Sequence, residues 1–171
     1  MLTLAILIAG GLFIEYGFGP ATNTQASASA SARGEDTPEQ RLLHQGFQQG
    51  VHMLHAGQFE HAVTVFHEVL AIAPTMPEAH VNMAYALLGL ERDTAARDFF
   101  LAAIELRPQQ HNAYYGLALA YERLNDLAAA TAAMQVYVHL ATVEDSHLAK
   151  ARSAIGQWQH KQNPQNKLVP E

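Results

Sequence analysis

Ala62, Ala96 and Ala130 stand thirty-four residues apart, and Phe66, Phe100 and Met134 repeat the same interval. Gly50, Ala84 and Ala118 lie twelve residues before each alanine, and Pro74 and Pro108 lie twelve after the first two. A period of this length marks stacked supersecondary units, each unable to bury its apolar face without a neighbour. Glycine or alanine at a helix crossing lets two backbones approach. Phe66, Phe100 and Met134, four residues after the second small residue, share its helix face and fill the groove. The pattern predicts an all-α chain of paired helices.

Helix starts carry their own signals. Thr37-Pro38-Glu39-Gln40 and Thr75-Met76-Pro77-Glu78 both have the form of a capping box, with threonine at the cap and Glu or Gln three residues on. Asn125-Asp126 suits the start of another helix, and Thr142 to Asp145 the start of a last one. From Asp145 to His160, Leu148, Ala151, Arg152, Ile155 and Trp158 form one stripe with a partly polar outside. Such a helix gives a repeat array the solvated end it requires.

The anchors resemble the tetratricopeptide repeat (TPR) family, whose unit is two antiparallel helices with small residues at their crossing and a proline closing the second. The first copy carries Gly50, Gly57, Phe59, Ala62, Phe66 and Pro74, and the second Ala84, Ala96, Phe100, Ala103 and Pro108. The third carries Tyr114, Leu117, Ala118, Tyr121, Leu127 and Ala130. The chain departs from the family pattern at Gly46, Asp93 and Thr142. The resemblance implies a right-handed α-solenoid of three TPR-like hairpins, about 43–76, 77–110 and 111–144, plus a capping helix over 145–161. Together these make a domain spanning 37–161, followed by a disordered tail over 162–171.

Composition bounds the partners. The net charge is −6, with 10 Lys plus Arg against 16 Asp plus Glu, and no lysine precedes Lys150. A nucleic-acid surface needs clustered cations and is not expected. Cysteine is absent, which excludes disulfides and thiolate metal sites.

The first nineteen residues differ in kind: Leu2 to Ile14 is uninterrupted by charge, and apolar character continues through Tyr16 and Phe18 around Glu15. As a helix, Met1 to Phe18 reaches roughly 26 Å against a hydrocarbon thickness of ~30 Å. A short membrane anchor is expected, with a signal sequence cleaved near Ala26-Ser27-Ala28 or Ala28-Ser29-Ala30 as the alternative. A soluble packing segment is a third reading. Residues 20–36, rich in Ala, Ser, Thr and Gly, read as a flexible linker. Analogy with anchored repeat proteins places the repeats on the exported side, periplasmic in a Gram-negative cell. Cleavage would instead give a secreted protein.

In TPR arrays the first helix of each pair lines the concave face. Carried over, this implies a partner-binding lining of His44, Phe47, Val51, Leu54 and His55 from the first copy, and Glu78, Val81, Tyr85 and Leu88 from the second. The third adds Asn112, Tyr115, Leu119, Glu122 and Arg123. A mostly apolar groove suits an amphipathic helix or an extended peptide. Val51, Leu54, Val81 and Leu88 equally suit a core between repeats, whereas Tyr85 and Tyr115 offer both area and a hydroxyl. The Lys/Asn/Arg clamp by which some TPR modules grip a terminal carboxylate is missing: Gln48, Val51, Val81 and Gly116 stand at its positions beside Asn82.

Five of the ten histidines, His44, His52, His55, His61 and His67, fall within twenty-four residues. Imidazole is the commonest metal ligand, yet six-residue spacing points His61 and His67 apart, and no H-E-x-x-H motif occurs. The histidines therefore read as surface polarity, with a pH-sensitive partner surface or a metal site as alternatives. All five serines lie outside the repeats, no catalytic constellation can be assembled, and Gly10-Gly11 sits in the apolar segment. The chain is thus expected to be a non-enzymatic, cofactor-free, membrane-tethered adaptor that captures a protein or peptide. The alternative is a self-assembling homo-oligomeric scaffold.

Overall fold

A computed structural model describes residues 37–142 and 145–163. The anchor or signal segment, the whole linker over 20–36, and the tail from residue 164 lie outside the described residues. Seven helices are described: α1 (Pro38–His55), α2 (Phe59–Ile72), α3 (Pro77–Gly89), α4 (Asp93–Leu106), α5 (His111–Arg123), α6 (Leu127–Leu140) and α7 (Leu148–Gln162). Each packs on the next, and α1, α3 and α5 also touch in succession, so three hairpins stack in sequence order. Among the described residues no helix is long and apolar enough to cross a membrane.

The period governs the backbone as well as the core. Each first helix ends on a left-handed residue, Gly57, Glu91 and Asn125, with φ of 71°, 59° and 60°. The next amide then donates five residues back: Gln58 to Met53, Arg92 to Leu87 and Asp126 to Tyr121, each at 2.9 Å. This satisfies carbonyls that the helix end leaves open and reverses the chain in three residues. Glycine adopts the conformation freely, whereas Glu91 does so at a cost.

Gly50, Ala62, Ala84, Ala96, Ala118 and Ala130 are all buried, as the small-residue crossings require. A Cβ on Gly50 would stand 2.7 Å from Cε1 of Phe66, so the ring packs directly on the backbone of α1. Phe66, Phe100 and Met134 are fully buried in one continuous core. The position after Gly50, Ala84 and Ala118 in this series is Arg152, which is exposed. A long charged side chain there departs from the small residue at which α2 crosses α1.

Several sequence expectations need correction. Met76, not Thr75, is the residue before α3, with no side-chain cap and proline at the first helical position. Pro77 lacks the N–H that a cap would satisfy and presets φ, so it starts the helix without Thr75. Asp126 does cap α6, accepting from the Ala129 amide at 3.0 Å. The last helix opens at Leu148 rather than Asp145, because Asp145 accepts from the His147 amide at 2.9 Å and holds a turn ahead of it. Arg152 lies outside the buried stripe, which consists of Leu148, Ala151 and Trp158. Gln162, assigned to the tail, is the last helical residue, and its side-chain Nε2 donates to Oγ1 of Thr131 at 3.2 Å.

Candidate functional site

The first helices of the hairpins form one wall, and α7 continues it. The indole N–H of Trp158 in α7 donates to Oε1 of Glu122 in α5 at 2.8 Å. A recess of about 470 Å³ lies between them, lined by Glu122 of α5 and by Ala149, Lys150, Ser153, Ala154, Gln157 and Trp158 of α7. The sequence reading gave α7 no part in the wall. The signal was present, since Tyr115, Leu119 and Arg123 advanced by thirty-four residues fall on Ala149, Ser153 and Gln157.

Many of the predicted wall residues link one repeat to the next. Glu78 of α3 pairs with Arg107, which also donates to Gln110 at 3.1 Å. Tyr85 stacks edge-on against Phe100, centroids 5.0 Å apart, and its hydroxyl donates to the Asn112 carbonyl at 3.0 Å. Arg123 donates to the Leu88 carbonyl at 2.6 Å and lies 3.4 Å from the Asp93 carboxylate. Asp93, a departure from the family pattern, thus has a structural partner one repeat on.

Val81 and Leu88 are buried and belong to the core, so neither offers a partner a surface. Phe47, Val51, Leu54, Tyr85, Tyr115 and Leu119 are half-buried against that core, and Phe47 stacks edge-on with Phe66 at 6.1 Å. His44, His55, Asn112 and Arg123 are exposed. Tyr85 and Tyr115 are therefore structural supports of the wall, and truncating both to alanine would disturb packing along with any contact to a partner.

An aromatic cluster closes the carboxyl-terminal end. Tyr115 stacks on Tyr137 at 5.1 Å and on His147 at 5.4 Å, and His111 lies 6.1 Å from Tyr137. Asp145 sits among them, 3.3 Å from Nδ1 of His147 and 3.9 Å from Nε2 of His111. The His147 amide foremost, then the Tyr137 hydroxyl and the His147 ring, hold the Asp145 carboxyl below the usual carboxylate range. Burial foremost pushes the Tyr85, Tyr115 and Tyr137 hydroxyls above the usual tyrosine range, with Asp145 adding to the effect at Tyr115 and Tyr137. Among the described residues no partner meets full hydrogen-bond geometry at the buried Tyr137 hydroxyl, although Asp145 is near enough to influence it. Among the described residues no three His, Asp or Glu side chains are arranged to hold a metal ion.

Two family models, both described as tetratricopeptide repeat, match residues 53–110 and 100–145. No curated protein matches the sequence. Among solved structures, the chain is similar to the first TPR of Spaghetti (RPAP3) bound to the HSP90 peptide SRMEEVD, at TM-score 0.66 and 16% identity, covering 71% of this chain and 94% of that one. It is similar to the Yersinia enterocolitica type III secretion chaperone SycD in complex with a peptide of the translocator YopD, at TM-score 0.66 and 12% identity, covering 70% and 94%. The TPR2B domain of yeast Sti1 in its pHsp70 complex matches at TM-score 0.66 and 20% identity, covering 71% and 98%. At these identities the likeness is one of fold.

Proposed function

From the premise that residues 53–145 are tetratricopeptide repeats, we propose that this chain is a non-enzymatic adaptor that captures a polypeptide along the wall of α1, α3, α5 and α7. The observation that carries this reading is the wall itself. Half-buried Phe47, Val51, Leu54 and Leu119 offer apolar contact, while Gln48, Asn82, Ser153 and Gln157 supply hydrogen-bonding groups at neighbouring positions. Apolar anchors beside amide and hydroxyl groups suit a peptide, whose backbone needs partners wherever it leaves water. The peptides named with the RPAP3, SycD and Sti1 structures support the reading by analogy of fold. The links from Glu78, Tyr85, Glu122 and Arg123 to neighbouring helices favour a wall formed before binding, which lowers the ordering cost of capture.

The adaptor is held at a membrane by residues 1–19, with residues 20–36 as its tether and the repeats on the exported side. The uncharged run Leu2 to Ile14 supports the anchor. The test places a photo-crosslinking residue in the full chain, in its native cell, at Gln48, Asn112 or Gln157 on the wall and at Glu68, Leu101 or Gln135 on second helices. Crosslinks confined to the first set uphold the reading. Equal yields from both sets, or adducts only from the second, reject it. Carbonate extraction of the same cells tests the anchor, and release of the uncleaved chain into the soluble fraction rejects it.

A further inference from the structure

The histidines of the first hairpin have no part in the linkages that join the repeats. His44, His52 and His55, together with Gln48, recur on α1 at steps of four, four and three residues, which places them on one stripe. All four are exposed, and Gln48 lies 2.9 Å from the His44 ring. The stripe is about 16 Å long and borders the half-buried Phe47, Val51 and Leu54.

The electrostatic setting of this hairpin is unusual. Residues 43–76 hold no lysine or arginine and two carboxylates, Glu60 and Glu68, against five histidines. The ionisable groups around the stripe are Glu39 and Arg41 on α1, Glu60, His61, His67 and Glu68 on α2, and Glu78, His80 and Tyr85 on α3. Among the described residues the histidine–carboxylate pairs within 4.0 Å are His111–Asp145 and His147–Asp145, so no carboxylate neutralises the stripe. Imidazole is the side chain that ordinarily changes charge between about pH 5 and 8. Within 43–76, histidine is the one residue type able to carry positive charge, and Arg41 stands just ahead of it on α1.

We propose that the α1 stripe makes capture acid-dependent: its ligand is an acidic amphipathic peptide, held by apolar contacts to Phe47, Val51 and Leu54 and by carboxylates facing His44, His52 and His55. This rests on the peptide-capture reading and adds the chemistry of the peptide. Imidazoles attract the peptide's carboxylates when protonated, whereas with neutral imidazoles Glu60 and Glu68 leave residues 43–76 net acidic and repelling. Exposed ion pairs contribute about twofold each, so three give roughly eightfold.

The probe is a fluorescent synthetic peptide of alternating leucine and glutamate, with a leucine–glutamine counterpart, titrated with the full chain at low salt. The glutamate peptide is expected to bind about eightfold tighter at about pH 5.5 than at about pH 7.5, with little change for the glutamine peptide. H44Q/H52Q/H55Q flattens the profile, whereas H139Q, at an exposed histidine of α6, retains it. Circular dichroism confirms helicity in both variants. Affinity independent of pH, a pH effect that survives the triple change, or an equal rise for the glutamine peptide overturns the inference. Stripe-dependent binding to phosphatidylserine vesicles without peptide binding overturns it in favour of a lipid surface. Wall crosslinks that persist in the triple variant would leave the capture reading standing even as the acid dependence failed.

Discussion

Replacing Gly116 by alanine places a methyl carbon 2.1 Å from Cζ and 2.3 Å from Cε1 of Phe100. Ordinary carbon–carbon contact is about 3.5 Å, so the ring must retreat by more than about 1 Å. Phe100 has little room to do so, because it is fully buried and Tyr85 stacks on it at 5.0 Å. The Tyr85 hydroxyl bonds to Asn112, so displacing the ring also strains the link between α3 and α5. Overpacking of a fixed core typically costs about 1–3 kcal/mol, and this contact belongs at the upper end. Alanine returns about 1 kcal/mol of helix propensity, leaving a net loss of about 2 kcal/mol. Gly156 in α7 is the control, since its Cβ would meet nothing within 4 Å. Gly156→Ala should stabilise by roughly 0.5–1 kcal/mol, the usual sign for this change. Urea unfolding followed by circular dichroism measures both. A neutral or stabilising Gly116→Ala refutes the close approach of α5 to Phe100.

Glu91→Gly should stabilise by roughly 0.5–1 kcal/mol, because it relieves a left-handed conformation that glycine adopts freely at the equivalent Gly57; a loss on thermal unfolding would contradict the turn geometry. Tyr137→Phe should let the Asp145 carboxyl rise toward the usual carboxylate range, because the Tyr137 hydroxyl helps hold it low; an unchanged Asp145 titration followed by NMR would contradict this. Trp158→Phe removes the donor to Glu122 and some packing volume, and should cost about 2 kcal/mol, with hydrogen exchange accelerating first in α7. The depressed Asp145 carboxyl contributes stability present above its unfolded value of about 4 and lost as pH falls through the lower folded value. Asp145→Asn should therefore remove part of the acid sensitivity in a series of unfolding midpoints below about pH 5, and identical acid profiles would contradict this.

The core was legible because a crossing of two helices demands a small residue, and Gly50, Ala84 and Ala118 announce it at fixed intervals. The turns were legible only in part: Gly57 and Asn125 are recognisable left-handed residues, whereas Glu91 is betrayed solely by standing midway between them. Helix starts were read correctly where the cap is a side chain, as at Asp126, and misread at Thr75, where Pro77 decides the boundary. The wall was harder. Tyr85 was singled out for its hydroxyl, but the acceptor is a backbone carbonyl twenty-seven residues away. No pattern of residue types reveals such a bond. Glu122 and Arg123 were placed on the wall without sign that Trp158 and Asp93 hold them. The part played by α7 was missed because Arg152 breaks the small-residue signature while the wall positions beside it keep the register.

Hydrogen exchange on the full chain, free and in complex with its crosslink-identified partner, tests capture on the first-helix wall most directly. Protection concentrated in α1, α3, α5 and α7, with α2, α4 and α6 unchanged, is the predicted footprint. Protection of α2, α4 and α6 while the four wall helices exchange as in the free chain would contradict it.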